Sequence, residues 1–284
     1  MPNFPIVDTH IHLWNPAKLR YPWLEEVPPL NRSFLLADYR AACGAIDIEA
    51  MVFVQCDAHP EDGLKETAWV TSLSKDEPRI KGIVAWAPLE KGEVAESVLE
   101  ELADNSLVKG VRRLIQSESL DFCLQPNFIK GVQMLEKFGL SFDICISHPQ
   151  LANTVQFVKS CPDVQFILDH IGKPGIEDQR FEPWKREIKA LAALPNVSCK
   201  ISGLVTEADV DNWTADDLKP YIDHVVECFG FDRVIYGSDW PVSTQATEYP
   251  RWVETLNWAV ESCSDGELRR LFHDNAVRFY RLGG

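Results

Sequence analysis

Eight short apolar runs recur along the chain and constrain its fold more than any other feature: Ile6–Leu13, Ala50–Cys56, Gly82–Pro88, Lys109–Ile115, Leu140–Ser147, Val164–Ile171, Val197–Ser202 and Arg233–Trp240. Their starts lie between 24 and 44 residues apart, which leaves room for one helix in each interval. Several runs are almost continuous in Val, Ile and Phe, the pattern of parallel strands covered on both faces. The intervals supply helices. Pro126 opens one in its first turn, Phe128, Val132, Leu135 and Phe138 form its apolar stripe, and Gly139 closes it. Thr214-x-x-Asp217 has the form of a capping box for a second, in which Pro220 predicts a kink. A last helix is expected over Asp265–Leu282. Strands alternating with helices imply a parallel sheet, and eight such units in 284 residues predict a (β/α)8 TIM barrel. A doubly wound sheet is the second choice, but no Gly-x-Gly-x-x-Gly follows the first run. No linker or low-complexity tract interrupts the rhythm, so residues 1–284 are expected to form one domain.

Charge and cysteine usage narrow the function. The chain has 43 Asp and Glu against 28 Lys and Arg, a net charge of −15, which argues against nucleic acid or an anionic membrane as partner. No apolar run approaches the roughly 18 residues of a membrane span, and Met1–Pro5 lacks the basic and apolar regions of a signal peptide. The eight cysteines are scattered without a Cys-x-x-Cys pair, as expected of reduced thiols in a cytoplasmic protein. No motif points to a particular oligomeric state.

In a barrel, active sites lie where the strands end, so the polar residues closing each apolar run are the candidates. His10 and His12 are two apart on a strand and face the same way; they suit a divalent metal or a substrate carbonyl, or else a hydrogen-bonded polar layer. Asp169-His170-Ile171-Gly172-Lys173-Pro174 places an imidazole and an ammonium at the end of the sixth run. Asp239 ends the eighth and suits a metal ligand, a general base or, with Ser238, a helix N-cap. Adjacent arginines on a strand face opposite ways, so one of Arg112 and Arg113 enters the barrel; Gly110 and alternation favour Arg112, Leu114 and Gln116 inside, with Arg113 the alternative. An inward arginine binds a carboxylate or a developing oxyanion, or makes a structural ion pair. His148 and Cys56 also follow strands, the first as a further ligand beside a proline, the second by default as a small buried residue. His59, His224 and His273 are read as surface or packing residues.

Taken together, Val7-Asp8-Thr9-His10-x-His12-x-Trp14, Gly110-Val111-Arg112-x-x-x-Gln116, Asp169-His170-x-Gly172-Lys173-Pro174, Gly237-Ser238-Asp239-Trp240-Pro241-Val242 and Asn275-Ala276-x-x-Phe279-Tyr280 resemble the amidohydrolase superfamily. They are most similar to its lactonase branch, which holds L-fuconolactonase and L-rhamnonolactonase types and the pyrone-dicarboxylate and muconolactone hydrolases. The resemblance implies an amidohydrolase-type barrel that opens a small-molecule lactone. His10, His12, His170 and Asp239 are the implied catalytic residues and also the implied ligands of one divalent metal, zinc. The branch also includes metal-independent members, so both states are compatible with it. Two-metal members carry a carbamylated lysine or another bridging ligand at the fourth strand, where this chain has Arg112 and Gln116, which argues against a binuclear site.

Lactone hydrolysis needs a base for water, a donor for the carbonyl oxygen and a proton for the leaving alkoxide. Asp239 is expected to take the water proton, His10, His12 and Arg112 (or a metal) to hold the oxyanion, and Asp239 or His170 to return the proton. Lys173 and Gln116 are expected to bind substrate, and Trp14, Tyr21 and Trp23, around the Asn15–Asn31 insert, to stack on it or to pack as a lid. Arg112, Arg113 and Lys173 are few cations for a dicarboxylate, which favours a neutral sugar lactone and carbohydrate metabolism. The alternatives are a hydrolase of an acid-bearing lactone, a metal-dependent decarboxylase of the same superfamily, and a non-catalytic metabolite-binding barrel.

Overall fold

A computed structural model of the chain describes residues 1–283. Eight parallel strands follow one another in a single sheet: β1 (Ile6–Ile11), β2 (Ile48–Val54), β3 (Ile80–Ala85), β4 (Val108–Val111), β5 (Ser141–Ile144), β6 (Phe166–Leu168), β7 (Val197–Ile201) and β8 (Val234–Tyr236). The sheet closes on itself through a parallel bridge between Ile11 and Trp240. Three hydrogen bonds seal that seam: His12 N donates to Trp240 O at 2.7 Å, Asp239 N to His10 O at 2.9 Å, and Thr9 Oγ1 to Tyr236 O at 2.6 Å. The architecture is the expected (β/α)8 barrel.

Each apolar run overlies one strand, but most runs continue past its end. The chain leaves the ladder while its side chains stay buried, as at Ile171 and Trp240. Arg112, Leu114 and Gln116 line the barrel mouth as expected, but for a different reason. β4 stops at Val111, so the alternation invoked for Arg112, Leu114 and Gln116 does not apply to them; loop geometry sets their directions. The helices between strands are α1 (Leu36–Cys43), α2 (Gly63–Leu73), α3 (Glu96–Ala103), α4 (Pro126–Gln133), α5 (Leu151–Lys159), α6 (Trp184–Ala192), α7 (Ala215–Phe229) and α8 (Tyr249–Ala259). In α7 the Thr214 backbone N–H and hydroxyl both donate to Asp217 Oδ2 at 2.7 Å, and the helix continues through Pro220. Gly139, at φ 64°, ends the α4 segment in the left-handed conformation that a residue without Cβ adopts freely.

The expected C-terminal helix runs from Asp265 to Tyr280 and carries a π-helical turn (Arg270–Asp274) between α9 (Asp265–Arg269) and α10 (Asn275–Tyr280). Just after that turn the Asn275 amide donates to Phe231 O at 2.7 Å and Val234 O at 2.8 Å, tying α10 to the start of β8. Inside the barrel, Val7, Val52, Val54, Val84, Ile167 and Ile235 form an apolar cluster that Ala276 and Tyr280 of α10 seal.

Candidate active site

Five residues at the barrel mouth, Asp57 among them, hold backbone conformations that side chains seldom adopt. His170, Ile171, Lys173 and Asp239 have φ of 54°, 49°, 49° and 58°. Non-glycine residues in the left-handed region persist only where surrounding structure compels them, and they gather at functional sites. Here the turns aim His170 and Asp239 at the two histidines of β1 and its extension. Asp239 Oδ1 lies 3.4 Å from His12 Nε2, 3.6 Å from His10 Nε2 and 3.9 Å from His170 Nε2. One carboxylate oxygen therefore faces three imidazole nitrogens.

Hydrogen bonds behind the rings fix which nitrogen faces the site. His12 Nδ1 donates to Val54 O at 2.7 Å, which turns Nε2 toward the site. His170 Nδ1 meets Ser202 Oγ at 3.0 Å. His10 Nδ1 is 3.4 Å from Asp169 Oδ1 and its Nε2 is 3.2 Å from Arg112 Nη1. A neutral imidazole satisfies both contacts with the proton on Nδ1 and the lone pair on Nε2. Burial pushes the His10 pKa down, and the Lys200 and His170 charges add to it against the pull of Asp169. Burial likewise lowers His170 to about 4 against the pull of Asp239 and Asp169, so both rings are neutral at pH 7. Burial pushes the Asp239 pKa up, but its contacts with His170, His12 and His10 outweigh that and hold it below the ordinary carboxylate range.

The mouth opens into a pocket of about 220 Å³ lined by His12, Arg112, Gln116, His170, Lys173 and Asp239, with Asp57, Ser117, Trp14, Trp23 and others completing the wall. That is below the ~300–1,000 Å³ of drug-sized sites, so the ligand is small. His10 sits just beneath, fully buried. Arg112 is ion-paired to Asp169 at 3.2 Å and its Nε is buried without a partner, a donor left over for a ligand. Arg113 faces away, bound to Glu90 and Glu118. Lys173 pairs with Glu207 at 3.5 Å. Trp14 is fully buried and donates Nε1–H to Arg32 O at 2.7 Å, while Trp23 caps the pocket and donates to Cys56 O at 2.8 Å. Both hold the lid in place. Cys56 lines the pocket, but burial, and next the Glu66 charge, push its thiol well above the ordinary range, so it is no nucleophile. His148 lies in a neighbouring groove, with Nδ1 3.1 Å from Lys173 O. His224 packs against Trp184, and His273 pairs with Asp274 and Glu49.

Three acids and a lysine without an expected role prove central. Asp8 Oδ1 accepts from Ser238 N at 2.9 Å and His10 N at 3.2 Å, and its Oδ2 from Tyr249 at 2.9 Å and Tyr39 at 3.0 Å. It ties the strand end bearing His10 to the one bearing Asp239. Lys200 of β7, fully buried, reaches Asp143 at 2.6 Å, Asp169 at 3.0 Å and His10 Nδ1 at 3.3 Å. Asp169 thereby joins Lys200, Arg112 and His10. Asp8 and Asp169 sit inside motifs whose histidines drew attention first. Asp143 and Lys200 lie singly in apolar strands and carry no local signal.

His10, His170 and Asp239 offer ligand atoms within 4.8 Å of one another, a three-ligand set with room for a further position, as in catalytic zinc sites. The bonds to Ser202 and Asp169 supply the outer shell such ligands need. The residues fit one divalent ion. Cys145, Asp169 and His170 also cluster, but Asp169 is committed to Lys200 and Arg112 and burial pushes the Cys145 thiol up to about 11.

Behind the pocket wall, Glu66 of α2 is buried and accepts from Cys56 N at 3.2 Å. Burial raises its pKa to about 8 from an ordinary 4.5. Between those values the folded protein holds a proton that the unfolded chain has released, so stability falls as pH rises through that window. Glu66→Gln is accordingly expected to match the parent below about pH 5 and to melt higher above pH 8. Thermal melts across pH test it; parallel curves would contradict it.

The amidohydrolase family matches residues 7–282. An L-fucono-1,5-lactonase of Burkholderia multivorans is 32% identical, the alignment covering 97% of this chain and 96% of the relative. An L-rhamnono-gamma-lactonase of Scheffersomyces stipitis is 26% identical over 99% of this chain and all of its own length. A crystal structure of a Burkholderia multivorans amidohydrolase with bound zinc superposes with a TM-score of 0.89 at 31% identity, covering 99% of this chain and 100% of that one.

Proposed function

This chain belongs to the amidohydrolase family, and from that premise we propose that it is a lactonase acting on a neutral sugar lactone, with Asp239 as general base. Hydrolysis of a cyclic ester is the reaction its lactonase relatives share. The observation carrying the reading is the convergence of three imidazole nitrogens on Asp239 Oδ1 in a small pocket.

The residues divide the work as follows. The ionised Asp239 accepts the proton of the attacking water. The unpartnered Arg112 Nε–H is the donor available to the carbonyl oxygen as it gains charge. The proton then returns from Asp239, or by way of His170, to the ring oxygen as the bond breaks. Lys173 and Gln116 bind substrate polar groups, and Trp23 shields the site. His10, His170 and Asp239 would hold a single divalent ion, with His12 beside it; zinc supplies Lewis-acid stabilisation of the carbonyl oxygen in such sites.

Charge balance supports the neutral substrate. The pocket cations Arg112 and Lys173 are each paired with an internal acid, Asp169 and Glu207. An acid group on the substrate would displace one of those pairs. A panel of neutral aldonolactones and acid-bearing lactones tests this with a pH-indicator assay. Neutral lactones are expected to lead by at least about tenfold in kcat/KM, the scale of one mispaired charge; the reverse order would refute the assignment. Chelator dialysis followed by zinc re-addition reads how much of the rate depends on the ion.

Among the described residues no helix is long and apolar enough to cross a membrane, and all eight cysteines are free thiols. The free thiols support a cytoplasmic location, and the uninterrupted strand–helix succession supports one domain over 1–284.

A further inference from the structure

One pocket charge has no internal partner. Arg112, Lys173 and Asp239 are each bound to other side chains, but the Asp57 carboxylate makes no hydrogen bond or ion pair with protein among the described residues. Arg112 and Arg113, the cations whose fields reach it, are committed to Asp169, Glu90 and Glu118. Asp57 follows β2 with φ 53°, and its N–H donates to Gln55 Oε1 at 2.6 Å. Gln55 is fully buried, so a core side chain holds this left-handed turn in place. Asp tolerates this region better than most residues, and the turn leaves its exposed carboxylate at the pocket without a protein partner.

The barrel circle gives the carboxylate a place relative to the chemistry. His10, His12, His170 and Asp239 come from β1, β6 and β8 and the turns after them, whereas Asp57 follows β2 and Gln116 and Ser117 follow β4. Because β2 pairs with β1 in the closed circle, Asp57 stands beside the strand that carries His10 and His12, while Gln116 and Ser117 lie two strands further on. A lactone whose carbonyl lies against Asp239 fills the same small pocket whose wall Asp57 completes. Sugar hydroxyls donate hydrogen bonds, and an ionised carboxylate only accepts them.

We propose that Asp57 is a specificity-determining residue: its carboxylate accepts hydrogen bonds from hydroxyl groups of the bound lactone and repels lactones that carry an acid group. The role rests on the neutral-sugar reading given above. It also supplies the repulsive element that discrimination between similar ligands requires.

The test compares the wild type with Asp57→Asn and Asp57→Ala on a neutral hexonolactone, its singly deoxygenated analogues and an acid-bearing lactone. Asn is at ease in left-handed backbone and keeps the shape, so the first variant isolates the charge. For the neutral lactone KM is expected to rise roughly 10- to 100-fold, the scale of a hydrogen bond to a charged group, with kcat changed little. One deoxy analogue should lose affinity in the wild type and not in Asp57→Ala. The acid-bearing lactone should gain in kcat/KM in both variants. A wild-type preference for the acid-bearing lactone would overturn the substrate reading and this role with it. Wild-type preference for neutral lactones, with unchanged KM in both variants, would overturn only the role of Asp57.

Discussion

Asp239→Asn is expected to lower kcat on the best lactone by roughly 10²–10⁴-fold, the range for loss of a positioned acid or base, with KM changed no more than a few-fold. The isosteric amide keeps the size of the carboxyl group and accepts φ 58° readily, and the Asp239 N–H bond to His10 O at 2.9 Å involves only backbone. Geometry therefore survives while the proton acceptor is lost. An amide also offers no anion to three facing imidazoles, so a pH profile of the residual activity should differ in shape from that of the parent. Steady-state kinetics with a melting curve as control decide the matter. Near-normal turnover would remove Asp239 from the role of base.

Lys200→Met is expected to have the largest effect on stability. The side chain is fully buried between Asp143 at 2.6 Å and Asp169 at 3.0 Å, and Tyr280 of α10 donates to the same Asp143 oxygen at 2.8 Å. Burial pushes the Asp143 pKa up to about 6, with Lys200 opposing the rise. Removing the ammonium leaves Asp143 with no ion-pair partner and Asp169 with Arg112 alone. Breaking a buried ion pair in this way costs about 3–5 kcal/mol, which at roughly 2–4 °C per kcal/mol for a domain of this size is a melting temperature lower by about 10 °C. The double variant Lys200→Met with Asp143→Asn should recover much of the loss, because the amide can sit uncharged beside Met and still accept from Tyr280. A Lys200→Met protein as stable as the parent would show that the network carries no net stabilisation.

Much of the site is legible in the chain because strands advertise both their period and their ends. His10 and His12 stand two apart in an apolar run and so share a face, and Asp239 and His170 close apolar runs where a barrel gathers its chemistry. Arg112 was chosen over Arg113 from strand alternation, yet β4 ends before either residue, and the ion pair to Asp169 is what holds Arg112 inward. Asp57 gave no signal at all, since an acidic residue after a strand resembles any solvated loop position. The Trp14 ring, open to either stacking or packing on sequence grounds, is a buried wall of the lid.

By itself the sequence determined the number and order of the strands, the helix caps at Thr214 and Gly139, and the residues gathered at the mouth, because each follows from periodicity and local backbone preference over a few neighbouring positions. Only the tertiary structure decided which charges meet. Lys200 and Asp143 are 57 residues apart, and each looks like an isolated polar residue in its own strand. Closing the barrel removes both from water, where a charge is tolerated only beside its opposite, and that long-range requirement leaves no trace in local sequence.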